Sequence, residues 1–336
     1  MDKVKLREKR KELMLNYALY FILGIMILGI ILYDTSFLKW QNFINILSQA
    51  STRGILALGV AGLIVLQGTD LSAGRIMGLT AAIAASMLQK PEFAARMYPE
   101  LGMVSMFIPL FLALAVGALF GLFNGIGVAV LKLHAFIATL GTQLIVFGLV
   151  QIYISSQKGG AQPIGTLQDR YRTLAIGEVI PKVPNLIPIF IITALVLWVV
   201  WNKTTLGKNM FAIGGNPEAA AVSGVNVVKN ILFVYLISGL LYGLAGFFEA
   251  ARVGSVNIGT GFNFELDAIS ACVVGGVSFS GGVGTIPGVI IGTIILTFIN
   301  YGLNYIGVSP YYQYIVRGLI IIVAVAIDVR KYIAKK

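Results

Sequence analysis

The chain has 336 residues, of which 57% are hydrophobic and only 12% are charged, and its mean hydropathy is +0.88. This composition excludes an ordinary soluble domain and indicates an integral membrane protein. The net charge of +11 is typical of basic cytoplasmic loops that face anionic lipid, so we expect membrane lipid and no nucleic acid as a partner. The single cysteine, Cys272, excludes a disulfide framework and a cysteine metal cluster.

Apolar runs recur along the whole chain, and most approach the roughly 20 residues that a helix needs to cross a bilayer. Strands of a membrane barrel would be about 10 residues long and strictly alternating. We therefore predict an all-α polytopic membrane protein with about ten transmembrane helices, some of them short or broken. The predicted spans are 17 to 33, 54 to 67, 73 to 89, 104 to 131, 136 to 154, 186 to 201, 231 to 250, 267 to 280, 286 to 306 and 311 to 328.

Basic residues cluster at both ends of the chain, at Lys3 to Lys11 and at Arg330 to Lys336. The positive-inside rule then predicts that both termini are cytoplasmic and that the number of spans is even. The run at 267 to 280 is short and ends in glycines, and we retain it as a short or broken helix because parity requires it. Segment 155 to 185 then lies outside and segment 202 to 230 inside. Arg53 and Arg252 fall in external loops.

The internal segment contains the stretch GGNPEAAAVSG, at residues 214 to 224. Asn216 is a favourable N-cap, Pro217 suits the first helical position, and Glu218 complements the helix dipole. The small residues Ala219 and Ala220 continue the helix, and Gly224 can take the left-handed conformation that ends it. Such a short, small-surfaced helix is suited to being held in the cleft of a partner, although an ordinary loop helix is the alternative.

Glu218-Ala219-Ala220 followed by Gly224 resembles the EAA-x-x-x-G pattern of ABC importer permeases, whose cytoplasmic loop helix docks on the ATPase subunit. The resemblance extends over nearly the whole chain. The segments QGTDLSAGR (67 to 75), FIATLGT (136 to 142), WNKTTLGKNMFAIGGNPEAAAVSGVNV (201 to 227), ELDAISACVVGGVSFSGGVGT (265 to 285) and INYGLNYIGVSPYYQYI (299 to 315) are similar to the sugar permeases of bacterial ABC importers, most of all to those for galactose and methyl galactoside.

The resemblance implies a single transmembrane permease domain over residues 1 to 336, in a multi-pass protein of the bacterial inner membrane. It further implies a periplasmic loop at 155 to 185, a coupling helix within 202 to 230, and a homodimer that works with an ATPase subunit and a periplasmic sugar-binding protein. This chain would be no enzyme and would bind no cofactor, since ATP and Mg are held by the ATPase. Another pentose or hexose such as ribose, or an ion-coupled sugar carrier, are the alternatives.

The chain itself has no phosphate-binding loop, because Gly207-Lys208 is followed by Asn209 and lacks the upstream glycine at the required spacing.

Uncharged polar residues within the apolar runs are candidates for a sugar path, because hydroxyls and amides bind sugar without trapping it by fixed charge. The alternative for each is hydrogen bonding between helices. Asp70 and Ser72 belong either to a broken helix that lines the path or to an interfacial turn in which Asp70 caps the next helix. The path candidates are Asp70, Ser72, Asn124, Thr139, Thr142, Gln143, Asn300 and Asn304.

Two further patterns concern packing and charge. Gly117, Gly121 and Gly125 recur at helical spacing and predict close helix packing. Glu249 is an acid near a span end, where a secondary transporter would place a proton-coupling site, but Arg252 at i+3 favours an ion pair.

Overall fold

The computed structural model describes Phe21 and residues 24 to 333, and that part of the chain is helical without a β-strand. The basic N-terminal segment, Lys335, Lys336 and the first part of the predicted span 17 to 33 lie outside the described residues, apart from Phe21. The helices are α1 (Gly24–Tyr33), α2 (Trp40–Val65), α3 (Ala73–Met87), α4 (Phe107–Ala129), α5 (Ala135–Ser155), α6 (Asp169–Ile176), α7 (Leu186–Lys203), α8 (Thr205–Gly215), α9 (Pro217–Val222), α10 (Val227–Val253), α11 (Phe264–Val274), α12 (Ile286–Tyr305) and α13 (Pro310–Ile333).

Within the described residues, six helices are long and apolar enough to cross a membrane, namely α2, α4, α5, α7, α10 and α12. Two shorter apolar helices, α1 and α3, accompany them. The predicted span at 267 to 280 is the short helix α11, which ends before Gly275 and Gly276, the latter at φ +83°. The all-helical prediction with short helices is thus confirmed in these elements.

The predicted start of the second span at residue 54 is wrong, because α2 already begins at Trp40. Gln41 and Gln49 lower the hydropathy of its first half without opposing helix formation. Consequently Arg53 lies in the middle of a helix of 26 residues and not in an external loop.

The centre of the bundle is α10, which packs most closely on α4 through glycines. A Cβ on Gly117 would fall 2.2 Å from the Gly239 carbonyl oxygen, and one on Gly121 would fall 2.4 Å from that of Tyr235. Backbones can approach this closely only where no side chain intervenes. The packing role predicted for these glycines is confirmed.

The helices α2 and α10 run antiparallel and define two ends of the bundle. Near the C-terminal end of α10, Glu249 accepts a 2.7 Å hydrogen bond from Thr52 of α2. Halfway along α10, Ser238 donates to the backbone carbonyl oxygen of Gly59, further along α2, at 2.8 Å. We call this first end the α6 end, because α6 packs there through a hydrogen bond from Tyr171 to the Phe247 carbonyl oxygen. The opposite end, where α8 and α9 lie, is the α9 end.

Candidate functional site

The short helix α9 forms for the local reasons that its sequence predicts. The Asn216 side chain accepts a 2.9 Å hydrogen bond from the Ala219 N–H, and Pro217 occupies the first turn, where no backbone donor is needed. The helix ends at Val222, and two residues later Gly224 has φ +86°, in the left-handed region. The predicted caps at both ends of the helix are confirmed.

Most of the α9 surface faces away from the protein. Val222 is 91% exposed, and Pro217, Glu218, Ala219 and Gly224 are exposed as well. Ala220 is the exception, because it is only 5% exposed and seats the helix on the protein. The residues available to a partner are therefore the exposed ones around Ala220, and Ala220 itself holds the helix in position.

Helix α8, which precedes α9, is not predicted from the sequence, because the sequence indicates only an internal loop there. Thr204 caps α8 by accepting from the Gly207 N–H at 3.3 Å, and Trp201 and Phe211 meet edge to face at 5.6 Å. Helix α8 thus packs back on the end of α7 and carries α9 at its far end. The signal was available in Thr204, which is a good N-cap.

The last turn of α8 touches the core of the bundle at Gly214. A Cβ on Gly214 would fall 1.8 Å from the Val65 carbonyl oxygen, at the last residue of α2. Gln67, at φ +62°, donates from its side-chain amide to the Gly214 carbonyl oxygen at 2.8 Å and to that of Ser280 at 3.1 Å. The Gly282 N–H donates to the Val65 carbonyl oxygen at 2.9 Å. These contacts join the base of α9 to α2, to the α2–α3 turn and to the loop between α11 and α12.

Beyond this turn, Asp70 begins a buried polar network. Its carboxylate accepts from the N–H of Ser72 at 2.8 Å and from the Ser72 hydroxyl, which closes a turn directly before α3. The Asn124 amide of α4 donates to the Ser72 hydroxyl at 2.9 Å, and Thr142 of α5 donates to the Asn124 carbonyl oxygen at 2.6 Å. The interpretation of Asp70 as the cap of α3 is wrong, because the N-cap position is Ser72, which has no side-chain cap hydrogen bond.

The network joins α3, α4 and α5 and is sealed from solvent within this chain. Asp70 and Ser72 are 0% exposed, and Asn124 and Thr142 are 1% exposed. Thr139 is equally buried and accepts from the Leu71 N–H at 3.1 Å. In this conformation these five predicted path residues hydrogen-bond helices to one another; a sugar would reach them only after the helices separate.

The other predicted path residues lie elsewhere. Gln143 is partly buried and donates to Glu265 at 3.3 Å. Asn304 is exposed at the α6 end, where its side-chain oxygen accepts a hydrogen bond from the Gln313 amide at 2.9 Å. Asn300 is 6% exposed and accepts from Arg317 of α13 at 3.4 Å. The predicted path residues therefore form three separate groups: the Asp70 network, Gln143 beside Glu265, and Asn300 with Asn304 on α12.

A charged cluster around Asn300 was missed by the sequence reading. One oxygen of Asp267, in α11, faces Arg53 of α2 at 3.2 Å, and the other faces Arg317 at 3.3 Å. The predicted ion pair between Glu249 and Arg252 is confirmed at 2.7 Å. Arg252 therefore belongs to the last turn of α10 and not to an external loop. The sequence signal for the cluster was the presence of charged residues within apolar helices, because a charged side chain there is costly unless it is paired.

Comparison with known proteins identifies the family. The sequence profile described as "Branched-chain amino acid transport system / permease component" matches residues 42–325. The galactose/methyl galactoside import permease protein MglC of Haemophilus influenzae is 51% identical over 333 residues, covering 98% of both chains, and that of Escherichia coli K12 is 50% identical, covering 95% of both. The ribose import permease protein RbsC of E. coli K12 is 38% identical and covers 88% of both chains.

No solved structure matches this chain. The profile spans most of the sequence, and the relatives match almost end to end. The chain therefore belongs to the family of branched-chain amino acid transport system permease components.

Proposed function

We propose that this chain is the membrane subunit of an ATP-driven importer that carries a monosaccharide, galactose or methyl galactoside, across the bacterial inner membrane. The observation that carries the proposal is α9, an exposed and fully capped helix with the Glu218-Ala219-Ala220 and Gly224 pattern, joined through Gly214 to the transmembrane core. The sugar is assigned because relatives with 51% and 50% identity are named for galactose and methyl galactoside. The family description names amino acids, but these full-length relatives carry sugars in their names.

The proposed topology has ten spans: α1, α2, α3, α4, α5, α7, α10, α11, α12 and α13. Both termini are then cytoplasmic, the α9 end faces the cytoplasm, and the α6 end faces the periplasm. The antiparallel contact of α2 with α10 and the location of α8 and α9 opposite α6 fit this path. In the single permease domain of residues 1 to 336, segment 155 to 185 is periplasmic and segment 202 to 230 is the cytoplasmic coupling loop.

The proposed mechanism is alternating access in a homodimer. An ATPase subunit, which holds ATP and Mg, grips α9 and closes when ATP binds. Because Gly214 touches α2 and Gln67 bridges to the α11–α12 loop, movement of α9 would displace the cytoplasmic ends of α2 and α11 together. ATP binding shifts the permease between inward-facing and outward-facing states only insofar as the gripped helix fits one state better.

The path through the dimer is proposed to use Asp70, Ser72, Asn124, Thr139, Thr142, Gln143, Asn300 and Asn304 in states that part the helices. These groups offer amide and hydroxyl partners for sugar hydroxyls once their interhelical bonds open. A periplasmic sugar-binding protein delivers the sugar at the α6 end.

A ribose importer is the second candidate, favoured by the relative at 38% identity. The test is uptake of labelled galactose, methyl galactoside and ribose in cells that lack this chain, with and without complementation by it. We expect complementation to restore galactose and methyl galactoside uptake and to leave ribose uptake unchanged. Restoration of ribose uptake alone would assign the chain to ribose, and restoration of no sugar would refute a sugar permease.

A further inference from the structure

The periplasmic half of α2 carries a polar ridge that faces outward. Gln41, Asn45, Gln49 and Arg53 follow one another at intervals of four residues, so they lie along one side of the helix. Gln41 and Asn45 are exposed, Gln49 is partly exposed, and the Arg53 side chain is 13% exposed. We call these four residues the α2 ridge. Its two outer residues are exposed and its two inner residues are partly buried, as in a vestibule that narrows inward.

Lipid is a poor environment for the α2 ridge. Arg53 lies about 20 Å along α2 from Trp40, and an amide or guanidinium that faces hydrocarbon is costly. The Gln41 amide donates to Asn45 at 3.2 Å, and the Asn45 amide donates to the Tyr301 hydroxyl of α12 at 3.2 Å. Hydrogen bonding thus continues from the α2 ridge onto α12, and the exposure of the Gln41 and Asn45 amides favours water rather than lipid beside these two helices.

The inner end of the ridge meets a group with unused hydrogen-bond donors. Arg53 gives Asp267 one N–H at 3.2 Å, while its Nε is buried without a hydrogen-bond partner among the described residues. Arg317 approaches the second oxygen of Asp267, so two guanidinium groups share one carboxylate. Each guanidinium has five N–H donors, and the contacts seen here use only part of them.

The space next to this group is small, and Ala268, Ala271 and Leu296 line it together with polar side chains. A cavity of about 10 Å³ is bounded by Arg53, Asp267, Thr293, Thr297 and Asn300, and it has room for about one water molecule. A hexose enters only if the group opens. The Asp267 carboxylate and the Asn300 amide can accept hydrogen bonds from sugar hydroxyls, and the two guanidinium groups can donate to them.

We propose that Arg53, Asp267, Asn300 and Arg317 form the first sugar-binding site inside the permease, reached from the periplasm along the α2 ridge. Its ligand is a neutral monosaccharide whose neighbouring hydroxyls replace the contacts between Asp267 and the two arginines. This inference rests on the proposed function, because it assumes sugar entry from the α6 end. It assigns the site to charged residues that the sequence reading did not include in the path.

The first test measures labelled uptake in membrane vesicles that contain the chain, its ATPase subunit and the sugar-binding protein. Arg53→Lys keeps the charge but loses the fork, and Asp267→Asn keeps the shape but loses the charge. We expect each to lower the uptake of galactose and of methyl galactoside about tenfold. Lys90→Gln, at the exposed pair with Asp169, is the matched control and should stay within about twofold of wild type.

The second test leaves the charged group intact. In a Cys272→Ala chain, Gln49→Cys is treated with a membrane-impermeant maleimide from the periplasmic side, with and without galactose-loaded binding protein. Leu195→Cys is the control, because Leu195 is 58% exposed and lies nine residues into α7, as Gln49 lies nine residues into α2. We expect rapid labelling at Gln49→Cys, slowed at least threefold by galactose, and slow labelling at Leu195→Cys whether galactose is present or not.

The outcomes separate this inference from the proposed function. If wild-type vesicles show no ATP-dependent galactose uptake, the proposed function fails and this site fails with it. If wild type transports but Gln49→Cys labels no faster than Leu195→Cys, or galactose leaves its labelling unchanged, only the site is overturned. Uptake within about twofold of wild type in both Arg53→Lys and Asp267→Asn would also overturn it, because a sugar-binding group cannot lose its fork or its charge without affecting transport.

Discussion

Gln67 and Gly214 are 147 residues apart in the chain, yet the Gln67 amide donates a 2.8 Å hydrogen bond to the Gly214 carbonyl oxygen. Gln67 is the second residue after α2, and Gly214 precedes the N-cap of α9 by two residues. A force on α9 therefore acts on α2 through a hydrogen bond that lies within three residues of each helix, without a long linker between them.

Gly214→Ala is predicted to uncouple the ATPase from transport. The added Cβ would lie 1.8 Å from the Val65 carbonyl oxygen, so α8 must move off α2. We expect uptake to fall about tenfold while the ATPase still co-purifies, since overpacking of about 1–3 kcal/mol displaces the contact without unfolding the bundle. Gly215→Ala is the control, because nothing lies within 4 Å of its added Cβ. Normal uptake in Gly214→Ala would show that this contact is not needed.

Val222→Glu is predicted to abolish co-purification of the ATPase while leaving the permease folded. Val222 is 91% exposed, so the substitution alters the docking surface and not the core. The control is Val179→Glu, the same substitution at an 84% exposed valine of the opposite end. Thermal unfolding of the detergent-purified chain should be unchanged in both variants. Retained ATPase binding in Val222→Glu would exclude this face of α9 as the docking surface.

Gly224→Val is predicted to loosen α9, and Gly224→Asn is predicted to preserve it. The residue has φ +86°, a conformation that costs an ordinary L-residue roughly 1–2 kcal/mol and that asparagine tolerates better. We expect sugar uptake and ATPase co-purification to fall in the valine variant and to stay near wild type in the asparagine variant. Equal behaviour of the two variants would mean that the left-handed cap does not hold the helix.

Thr142→Val is predicted to lower the free energy of unfolding by about 1–3 kcal/mol. The reason is that the buried side-chain oxygen of Asn124 loses the Thr142 hydroxyl, its hydrogen-bond donor at 2.6 Å. The measurement is the thermal unfolding midpoint in detergent. Thr193→Val serves as the control, since Thr193 donates only to the Ile189 carbonyl oxygen of its own helix. An unchanged midpoint in Thr142→Val would show that the Asp70 network contributes nothing to stability.

The sequence predicted the features that depend on local chemistry. Asn216, Pro217 and Gly224 specify α9 by rules that act within one or two turns, and Gly117 and Gly121 specify close packing by the absence of a side chain. Hydropathy located the apolar runs, but it misplaced the start of α2, because amides such as Gln49 lower hydropathy without breaking a helix.

Contacts between distant segments were beyond the sequence. Asp267 meets Arg53 and Arg317 because three helices converge, and no local pattern predicts which arginine reaches which acid. The same holds for Gln67 and Gly214. The glycine at position 214 is conspicuous only once the Val65 carbonyl oxygen is known to lie against it.

The most direct test of the central claim is the energy source of galactose uptake in cells that depend on this chain, with ATP depletion and collapse of the proton gradient as separate arms. We predict that uptake stops when ATP is depleted, survives collapse of the gradient while ATP is maintained, and is lost in Val222→Glu under all conditions. Uptake that stops with the gradient while ATP is maintained would contradict the account and indicate an ion-coupled carrier.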